Sequence, residues 1–458
     1  MSAPVFPAVS PVASLIQRDA FPYATLPRAV FLADEVPMAP APDRWITDTT
    51  FRDGMQARQP YSPDQILHLY DLLHRLDHDT GTIRACEFFL YSDQERAAVE
   101  ACRGRGYRYP RVTAWIRARI EDLARVTALG IEETGILTSV SDHHIVTKLG
   151  LTRASAMDSY LRVVDAALAA GIRPRCHFED VTRADIEGFV VPFAAALMDR
   201  SRQSGIPIVI RLCDTLGVAL PWPAAALPRG VPRLVRTLIE GAGVPSAQLE
   251  WHGHNDFFKG HACAATAWLY GCAAINSTLL GTGERTGNTP LEAAVAEHVG
   301  LTGEDRLNLP VLVEIAAYLR EVCGVPVAAN HPLLGDESFT TRAGVHIDGL
   351  LKDPETYLSF DPQAVLGRPI GVVVSDKSGV AGIAWWLNQR LGLTGAARMA
   401  KSHPGVHAMY EALLAQYADG RVADPTDGEL LALAREHVPE RSADAAGPLD
   451  AAQRRQDR

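Results

Sequence analysis

The sequence has little lysine, no closely spaced cysteines and no long hydrophobic run. Only five of its 44 basic residues are lysine, an arginine bias that is typical of GC-rich genomes. None of the seven cysteines forms a CxxC pair, which favours buried, reduced thiols over disulfides. The start of the chain lacks a basic leader followed by an apolar run, and no stretch of about 18 apolar residues occurs. We therefore expect neither a signal peptide nor a membrane span. The protein is expected to be cytoplasmic.

Positive charge is also in deficit, since the formal net charge is −10. A field of this sign does not attract nucleic acid or an anionic membrane, so neither is expected as a partner. At 458 residues and 47% hydrophobic, the chain has enough apolar material for one large catalytic domain and a smaller one.

Short apolar runs alternate with longer amphipathic stretches from residue 45 onward. Residues 63–76, for example, carry leucine and isoleucine at the three- and four-residue spacing of a helix with one buried face. The eight predicted strands cover residues 45–50, 85–90, 112–116, 134–138, 173–178, 206–212, 249–252 and 273–280. Eight strand–helix units predict a (β/α)8 TIM barrel, with a doubly wound open sheet as the alternative. Polar motifs directly after the strands favour the barrel.

The strand pattern is confined to residues 45–300, which we predict to be the catalytic barrel. Residues 1–44 are rich in proline and alanine and are expected to form an N-terminal arm. Residues 301–440 are predicted to be a linker and a smaller, mostly helical C-terminal subdomain. The charged, alanine-rich residues 441–458 are expected to be disordered.

Two motifs that follow predicted strands offer metal ligands. The first strand leads into Arg52-Asp53, which combines a carboxylate for a divalent cation with a guanidinium for an oxyanion. The seventh strand leads into His252-Gly253-His254. Alternate residues of a strand face the same side, so both imidazoles can share one metal ion. For Arg52-Asp53 alone, the alternative is a surface ion pair. For His252 and His254 alone, the alternative is two core histidines.

A glycine-rich loop follows the eighth predicted strand. Gly281, Gly283 and Gly287 leave backbone groups accessible, which suits an anion or the tail of a cofactor. Phosphate sites often lie after the last strand of such a barrel. We therefore predict Gly281, Gly283, Glu284 and Arg285 as cofactor-binding residues.

The stretches DTTFRDGMQ, HGHND and GTGERTGN together resemble the signatures of the DRE-TIM metallolyases. More narrowly, they are similar to the acyl-CoA condensing branch: isopropylmalate, homocitrate and Re-citrate synthases. The resemblance covers roughly residues 45–370. It implies an acyltransferase that condenses acetyl-CoA with an anionic 2-oxo acid in a Claisen-type reaction and hydrolyses the thioester. It also implies a divalent metal, for which Mn, Co, Zn, Fe and Mg are candidates.

The resemblance assigns roles to the residues of the metal motifs. Asp53, His252 and His254 would be the metal ligands, with Asn288 as a candidate fourth. Arg52 would contact the substrate and stabilise the enolate or the oxyanion.

Four further residues match positions of the family. Glu179 matches its acidic active-site residue, and Thr215 matches the residue that binds the substrate carboxylate. His346, in a stretch that resembles the family's AGxH segment, would act as acid or base in the barrel of a partner chain. Tyr357 matches a nearby tyrosine. The resemblance thus implies a homodimer with shared active sites.

Other branches of the superfamily fit the sequence less well. Lyases that cleave hydroxymethylglutaryl-CoA carry a cysteine in the loop after the last strand, and GTGERTGN has none. Biotin carboxyltransferases use a carboxylated lysine as a metal ligand. Before residue 330 the only lysines are Lys148 and Lys259, and neither ends a predicted strand. A non-catalytic metabolite-binding barrel is the alternative from another class, and the intact metal and histidine set argues against it.

The identity of the oxo acid depends on residues near the pocket. Arg117 resembles the homocitrate synthase arginine that binds the far carboxylate, and it favours an anionic substrate. Because the sequence ends near residue 458, we do not expect the leucine-binding domain of isopropylmalate synthase. Met55 replaces the usual glutamate, and His177, a predicted substrate contact, replaces the usual serine.

Two longer stretches narrow the choice of oxo acid. RDGMQARQPYS and SVSDHH are similar to Re-citrate synthase and to the phosphinomethylmalate and phosphonomethylmalate synthases of phosphonate or phosphinate antibiotic biosynthesis. We therefore expect phosphinopyruvate or phosphonopyruvate as the substrate, with oxaloacetate and then 2-oxoglutarate as alternatives.

Overall fold

Eight parallel strands close into a barrel in the order β1 to β8 in this computed structural model, which describes Phe21 and residues 23–442. The strands are β1 (Trp45–Asp48), β2 (Ile83–Phe88), β3 (Arg111–Arg117), β4 (Glu133–Ser139), β5 (Arg173–Glu179), β6 (Val209–Asp214), β7 (Leu249–Gly253) and β8 (Ala274–Ser277). Because β1 pairs with both β2 and β8, the sheet has no edge. The predicted TIM barrel is confirmed, and the open sheet is excluded.

Helices connect the strands in the alternating order that the sequence predicts. They are α1 (Pro63–Asp77), α2 (Asp93–Gly104), α3 (Ile120–Ala128), α4 (Arg153–Ala169), α5 (Val191–Ser204), α6 (Val231–Ala242), α7 (Gly260–Leu269), α8 (Leu291–Thr302) and α9 (Val311–Glu321). Helix α1 shows why such elements begin where they do. The Ser62 hydroxyl accepts from the Gln65 N–H, and the Gln65 side chain accepts from the Ser62 N–H. This capping box satisfies two donors that the first turn leaves free.

Three strands end earlier than the sequence predicts: β1, β8 and β2, which ends at Phe88 and not at residue 90. The early ends of β1 and β8 each have a local cause. β1 was predicted to reach residue 50 but ends at Asp48, because the Asp48 carboxylate accepts from the Thr50 N–H at 3.0 Å and the Thr50 hydroxyl at 2.7 Å. β8 was predicted to reach residue 280 but ends at Ser277, since Leu280 adopts a left-handed φ of 54° in a short 3-10 turn. Both turns lie at the carboxyl ends of the strands, where the polar motifs are.

Ion pairs as well as apolar side chains fill the interior of the barrel. Glu87 accepts hydrogen bonds from Arg52 Nε at 2.8 Å and from Arg211 Nη1 at 3.0 Å. Arg211 Nη2 also donates to Glu250 at 3.0 Å, and Arg175 Nε lies 2.9 Å from the same carboxylate. All five side chains are buried. Such interiors are usually packed with branched apolar residues, so this charged set distinguishes the chain.

The described chain divides after Gly324, and the residues beyond it form a second compact unit. Its helices are α10 (Gly344–Lys352), α11 (Pro362–Leu366), α12 (Gly379–Arg390), α13 (Pro404–Ala418), α14 (Asp427–His437) and α15 (Pro439–Ser442), with a two-stranded parallel sheet of β9 (Thr340–Thr341) and β10 (Gly371–Val372). Leu387, Met409, Leu413 and Leu430 belong to its apolar core. The predicted helical C-terminal region is confirmed.

Parts of two predicted segments cannot be compared with the structure. Residues 1–20 and 22 of the predicted arm and residues 443–458 of the predicted tail lie outside the described residues. Within the described part of the chain, no helix combines the length and the apolar character that crossing a membrane requires.

Candidate active site and metal centre

The three predicted metal ligands converge at the carboxyl ends of β1 and β7. Asp53 begins a short 3-10 turn after β1, His252 lies in β7, and His254 follows it. Asp53 Oδ2 lies 3.4 Å from His252 Nε2 and 3.8 Å from His254 Nε2. All three side chains are buried, and their ligand atoms lie within 4.8 Å of one another. Asp53, His252 and His254 therefore form a compact set of one carboxylate and two imidazoles, the metal group of this protein.

The chemistry of this group fits a divalent cation. Asp53 Oδ2 is buried and has no hydrogen-bond partner among the described residues, which is costly for a carboxylate oxygen unless a cation compensates it. Although burial alone raises the pKa of Asp53, Arg52 and the two histidines lower it, so the carboxylate is ionised. Burial lowers the pKa of His252 to about 3 and also lowers that of His254. Both imidazoles are therefore neutral, the form that binds metals.

A second layer of hydrogen bonds fixes the orientation of His252. Asn276 Nδ2 donates to Thr47 Oγ1 at 2.8 Å, so Asn276 Oδ1 remains as the acceptor. That oxygen lies 2.7 Å from His252 Nδ1, which must therefore carry the proton. The lone pair is left on Nε2, the atom that faces Asp53. This is the tautomer that a metal ligand at Nε2 requires.

Asn288 lies next to the three ligands and has a spare oxygen. Its backbone bridges that of His254, and its Nδ2 donates to the Thr282 carbonyl at 2.9 Å. Asn288 Oδ1 is buried without a hydrogen-bond partner in the described chain, so it could serve as a fourth ligand. Gly283 makes this placement possible, since a Cβ there would lie 2.1 Å from Asn288 Nδ2.

Arg52 lies beside the metal group with one nitrogen uncommitted. Its Nε donates to Glu87 at 2.8 Å, and its Nη1 lies 3.7 Å from Asp53 Oδ1. Nη2 is buried and lacks a hydrogen-bond partner among residues 23–442. The Trp115 ring, 5.7 Å from Cζ, packs over the guanidinium. A fixed cation with a free donor suits the stabilisation of an oxyanion.

Glu179 ends β5 inside a cluster that the sequence did not reveal. Lys148 Nζ lies 2.9 Å from both carboxylate oxygens, and His144 Nδ1 lies 3.1 Å from Oε2. Ser139 donates a short hydrogen bond to the same oxygen. Burial raises the pKa of Glu179, but these neighbours outweigh burial and lower it to about 2. Glu179 is thus a carboxylate at neutral pH.

His144 and Lys148 were missed as site residues because they do not follow a strand directly. Both lie in a short π-helical turn, His143–Lys148, after β4. Their four-residue spacing places two side chains on one face of a helical turn, which is the signal that could have indicated them.

Replacing Lys148 by methionine is expected to raise the pKa of Glu179, because the ammonium group favours the ionised form. A carboxyl group with a lowered pKa stabilises the folded state above its usual pKa near 4.5, and this stabilisation is lost as pH falls toward about 2. The variant should therefore be less stable than the wild type by about 1 kcal/mol at pH 7. Below pH 4.5 the difference should shrink.

Urea unfolding at pH 7 and pH 3 measures this effect. Lys377→Met, at an exposed lysine beside Asp376, is the matched control and should change little at either pH. A Lys148→Met deficit that is the same at both pH values would contradict the assigned interaction.

The remaining predicted residues of the barrel mouth are engaged with other protein groups. Thr215 Oγ1 accepts from the Asp180 N–H at 2.8 Å. Arg285 bonds to Asp256 at 2.8 Å and to the Thr215 carbonyl at 2.6 Å, which links the glycine-rich loop to the end of β6. Glu284 is half-exposed. Cofactor binding by Gly281, Gly283, Glu284 and Arg285 stays a prediction.

The two predicted substrate contacts from β3 and β5 differ in setting. Arg117 donates to Asp122 at 2.8 and 2.9 Å, so its charge already has a partner in α3. His177 is buried, with Nε2 3.3 Å from Glu87, and burial together with Arg211 lowers its pKa to about 4. His177 is therefore neutral and borders the Arg52 side of the barrel interior.

His346 and Tyr357 belong to the second unit. Their ring centroids lie 4.4 Å apart, and Tyr357 is half-exposed. The two rings are therefore in contact within this unit. Their action in the barrel of a partner chain stays a prediction.

Comparison with known proteins identifies the family. A family model described as HMGL-like matches residues 44–319. The chain is 49% identical to the Citrate (Re)-synthase of Syntrophus aciditrophicus, over 93% of this chain and 68% of that protein. It is 45% identical to the Citrate (Re)-synthase of Clostridium kluyveri, over 92% and 94% of the two chains. The chain belongs to the HMGL-like family, and the predicted resemblance to its acyl-CoA condensing branch is confirmed.

More distant similarities agree with the fold and the branch. The 2-phosphinomethylmalate synthase of Streptomyces hygroscopicus is 36% identical, over 88% of this chain and 92% of that protein. The crystal structure of hydroxymethylglutaryl-CoA lyase from Pseudomonas aeruginosa matches with a TM-score of 0.52 and 20% identity, over 63% of this chain and 95% of that one. At that identity the structural match supports the barrel fold and nothing finer.

Proposed function

We propose that this protein condenses acetyl-CoA with oxaloacetate and hydrolyses the thioester to release citrate and coenzyme A. The observation that carries the proposal is the buried group of Asp53, His252 and His254 beside the free Nη2 of Arg52. The two relatives described above that are 45% and 49% identical are both named Citrate (Re)-synthase.

The metal group accounts for activation of the oxo acid. A divalent ion held by Asp53, His252 and His254, with Asn288 as a fourth ligand, would polarise the 2-oxo carbonyl as a Lewis acid. Attack by the acetyl carbon turns that carbonyl into an alkoxide. Arg52 Nη2, which the protein leaves uncommitted, donates to this developing charge.

Proton transfer needs a separate group, since the methyl protons of a thioester are weakly acidic. Glu179 is held ionised by Lys148 and His144, so at neutral pH it can accept a hydrogen bond but cannot donate a proton. We assign the acid/base role to His346, as the family resemblance implies. The barrel residues then bind and orient the substrate, and Thr215 contacts its carboxylate.

We rank oxaloacetate above the phosphorus-containing substrates that the sequence alone favours. Identity to the Citrate (Re)-synthases is 49% and 45%, against 36% to the 2-phosphinomethylmalate synthase. The guanidinium of Arg117, expected to select the distal group, is bonded to Asp122 and gives no separate support for a phosphorus group. Phosphinopyruvate remains the second candidate because its synthase matches over 88% of this chain.

Thiol release from acetyl-CoA by the purified, Mn²⁺-supplemented protein tests the proposal. The panel is oxaloacetate, phosphinopyruvate, phosphonopyruvate, 2-oxoglutarate and 2-oxoisovalerate. We expect kcat/KM for oxaloacetate to exceed that for every other oxo acid by at least about tenfold, with citrate as the product by mass spectrometry. A preference for phosphinopyruvate would show that phosphinopyruvate, and not oxaloacetate, is the substrate. Thiol release without a condensed product would contradict the proposed reaction.

A further inference from the structure

We propose that the amino-terminal mouth of the barrel is a binding site for a phosphate group. This mouth lies at the opposite end of the strands from Asp53 and His252. A cavity of about 290 Å³ is lined there by residues from the beginnings of all eight strands. Four arginines line it: Arg84, Arg111, Arg173 and Arg175.

The lining carries more positive charge than the nearby carboxylates can balance. Glu133, the acidic residue at the start of β4, is shared by three guanidiniums. Arg173 Nη1 lies 3.1 Å away, Arg111 Nη2 lies 3.7 Å away, and Arg175 Nη2 makes a short contact. Glu133 and Arg175 are both buried. One carboxylate therefore faces three positive charges, of which Arg175 is buried while the side chains of Arg111 and Arg173 are 44% and 37% exposed. Unbalanced charge at the buried groups is costly.

The carboxylates deeper in the barrel do not remove this excess. Glu250 lies 2.9 Å from Arg175 Nε, but it also accepts from Arg211 Nη2 at 3.0 Å. Glu87 accepts from Arg211 and Arg52 and also lies 3.6 Å from Arg175 Nη1, so three guanidiniums share it. The connected set thus holds five arginines and four carboxylates, because Asp53 lies 3.7 Å from Arg52 Nη1: Arg52, Arg111, Arg173, Arg175, Arg211, Asp53, Glu87, Glu133 and Glu250. Five positive and four negative charges leave one positive charge unmatched.

The geometry favours a phosphate group as the ligand. Arg173 Nε is buried and has no hydrogen-bond partner in the part of the chain described, so a donor is available at the cavity. Guanidinium groups match the oxygens of phosphate in paired hydrogen bonds. A bound anion would balance the unmatched charge. The cavity has room for one phosphate and a small attached group.

Isothermal titration of the full-length protein with inorganic phosphate, at constant ionic strength, tests the site. We expect saturable binding that Arg173→Gln weakens by at least about tenfold. Arg111→Gln, at a more exposed side chain, should also weaken phosphate binding. This variant provides the test if Arg173→Gln misfolds. Arg162→Gln, at an exposed arginine of α4, should leave binding unchanged.

Two further titrations identify the source of the phosphate and the location of the binding site. Tighter binding of adenosine monophosphate than of free phosphate would identify a phosphate ester as the ligand, and the reverse would identify free phosphate. Asp53→Ala should retain binding, because the metal group lies at the other end of the barrel. The proposal would be overturned by non-saturable binding, or by saturable binding that both Arg173→Gln and Arg111→Gln leave intact.

Discussion

Asp53→Ala protein should lose both its bound divalent metal and its condensation activity, with kcat falling by at least about 10³-fold. The substitution removes the one anionic ligand from a group that otherwise holds two neutral imidazoles. Charge-poor sites of neutral nitrogen ligands bind divalent ions less tightly, and binding of the substrate carbonyl depends on the ion. The loss should exceed the 10²–10³-fold that removal of a single oxyanion donor costs.

Metal content by mass spectrometry and thiol release on the same preparation measure this effect. Asp158→Ala, at an exposed aspartate of α4, is the control and should keep metal and rate. Stoichiometric metal retained by folded Asp53→Ala protein would show that the ion is held elsewhere.

Glu87→Gln should lower the free energy of unfolding by about 3–5 kcal/mol, the usual cost of removing one partner from a buried charge network. Glu87 is 1% exposed, accepts from Arg52 and Arg211, and also accepts from Thr49 at 3.1 Å. Burial raises the pKa of this carboxyl group, but the two arginines and His177 lower it well below its usual range. Glutamine keeps the shape and removes the charge, which leaves buried guanidiniums uncompensated.

Chemical unfolding at several pH values distinguishes this effect from simple loss of packing. A lowered folded-state pKa stabilises the protein above the usual glutamate pKa, so the deficit of Glu87→Gln should be largest near neutral pH and shrink on acidification. Glu100→Gln, at an exposed position of α2, should unfold within about 0.5 kcal/mol of the wild type. Equal unfolding midpoints for the two variants would refute the role of Glu87.

The sequence predicts the barrel and the metal group for a common physical reason. Alternation of strands and helices determines the parallel closed sheet, and the carboxyl ends of its strands meet at one mouth. His252 lies near the carboxyl end of β7, and Asp53 and His254 follow the ends of β1 and β7, so their convergence could be expected from topology alone. The HxH spacing also places the two imidazoles on the same side of the extended chain at the end of β7.

Side-chain partners from separate elements could not be predicted in this way. The contact between Lys148 and Glu179 depends on a π-helical turn after β4, whose path no periodic pattern indicates. The pairing of Arg117 with Asp122 depends on where α3 begins. Arginine and glutamate inside strands, such as Arg175 and Glu250, are typical of exposed faces, and only closure of the barrel shows that they are buried together.

Metal-dependent thiol release with oxaloacetate tests the central claim most directly. The purified protein would be assayed with acetyl-CoA before chelation, after exhaustive chelation, and after Mn²⁺ is restored. We predict release that requires oxaloacetate, falls to background on chelation and returns with the metal. Release that chelation leaves unchanged, or no release with any 2-oxo acid although stoichiometric metal is bound, would contradict the proposed condensation.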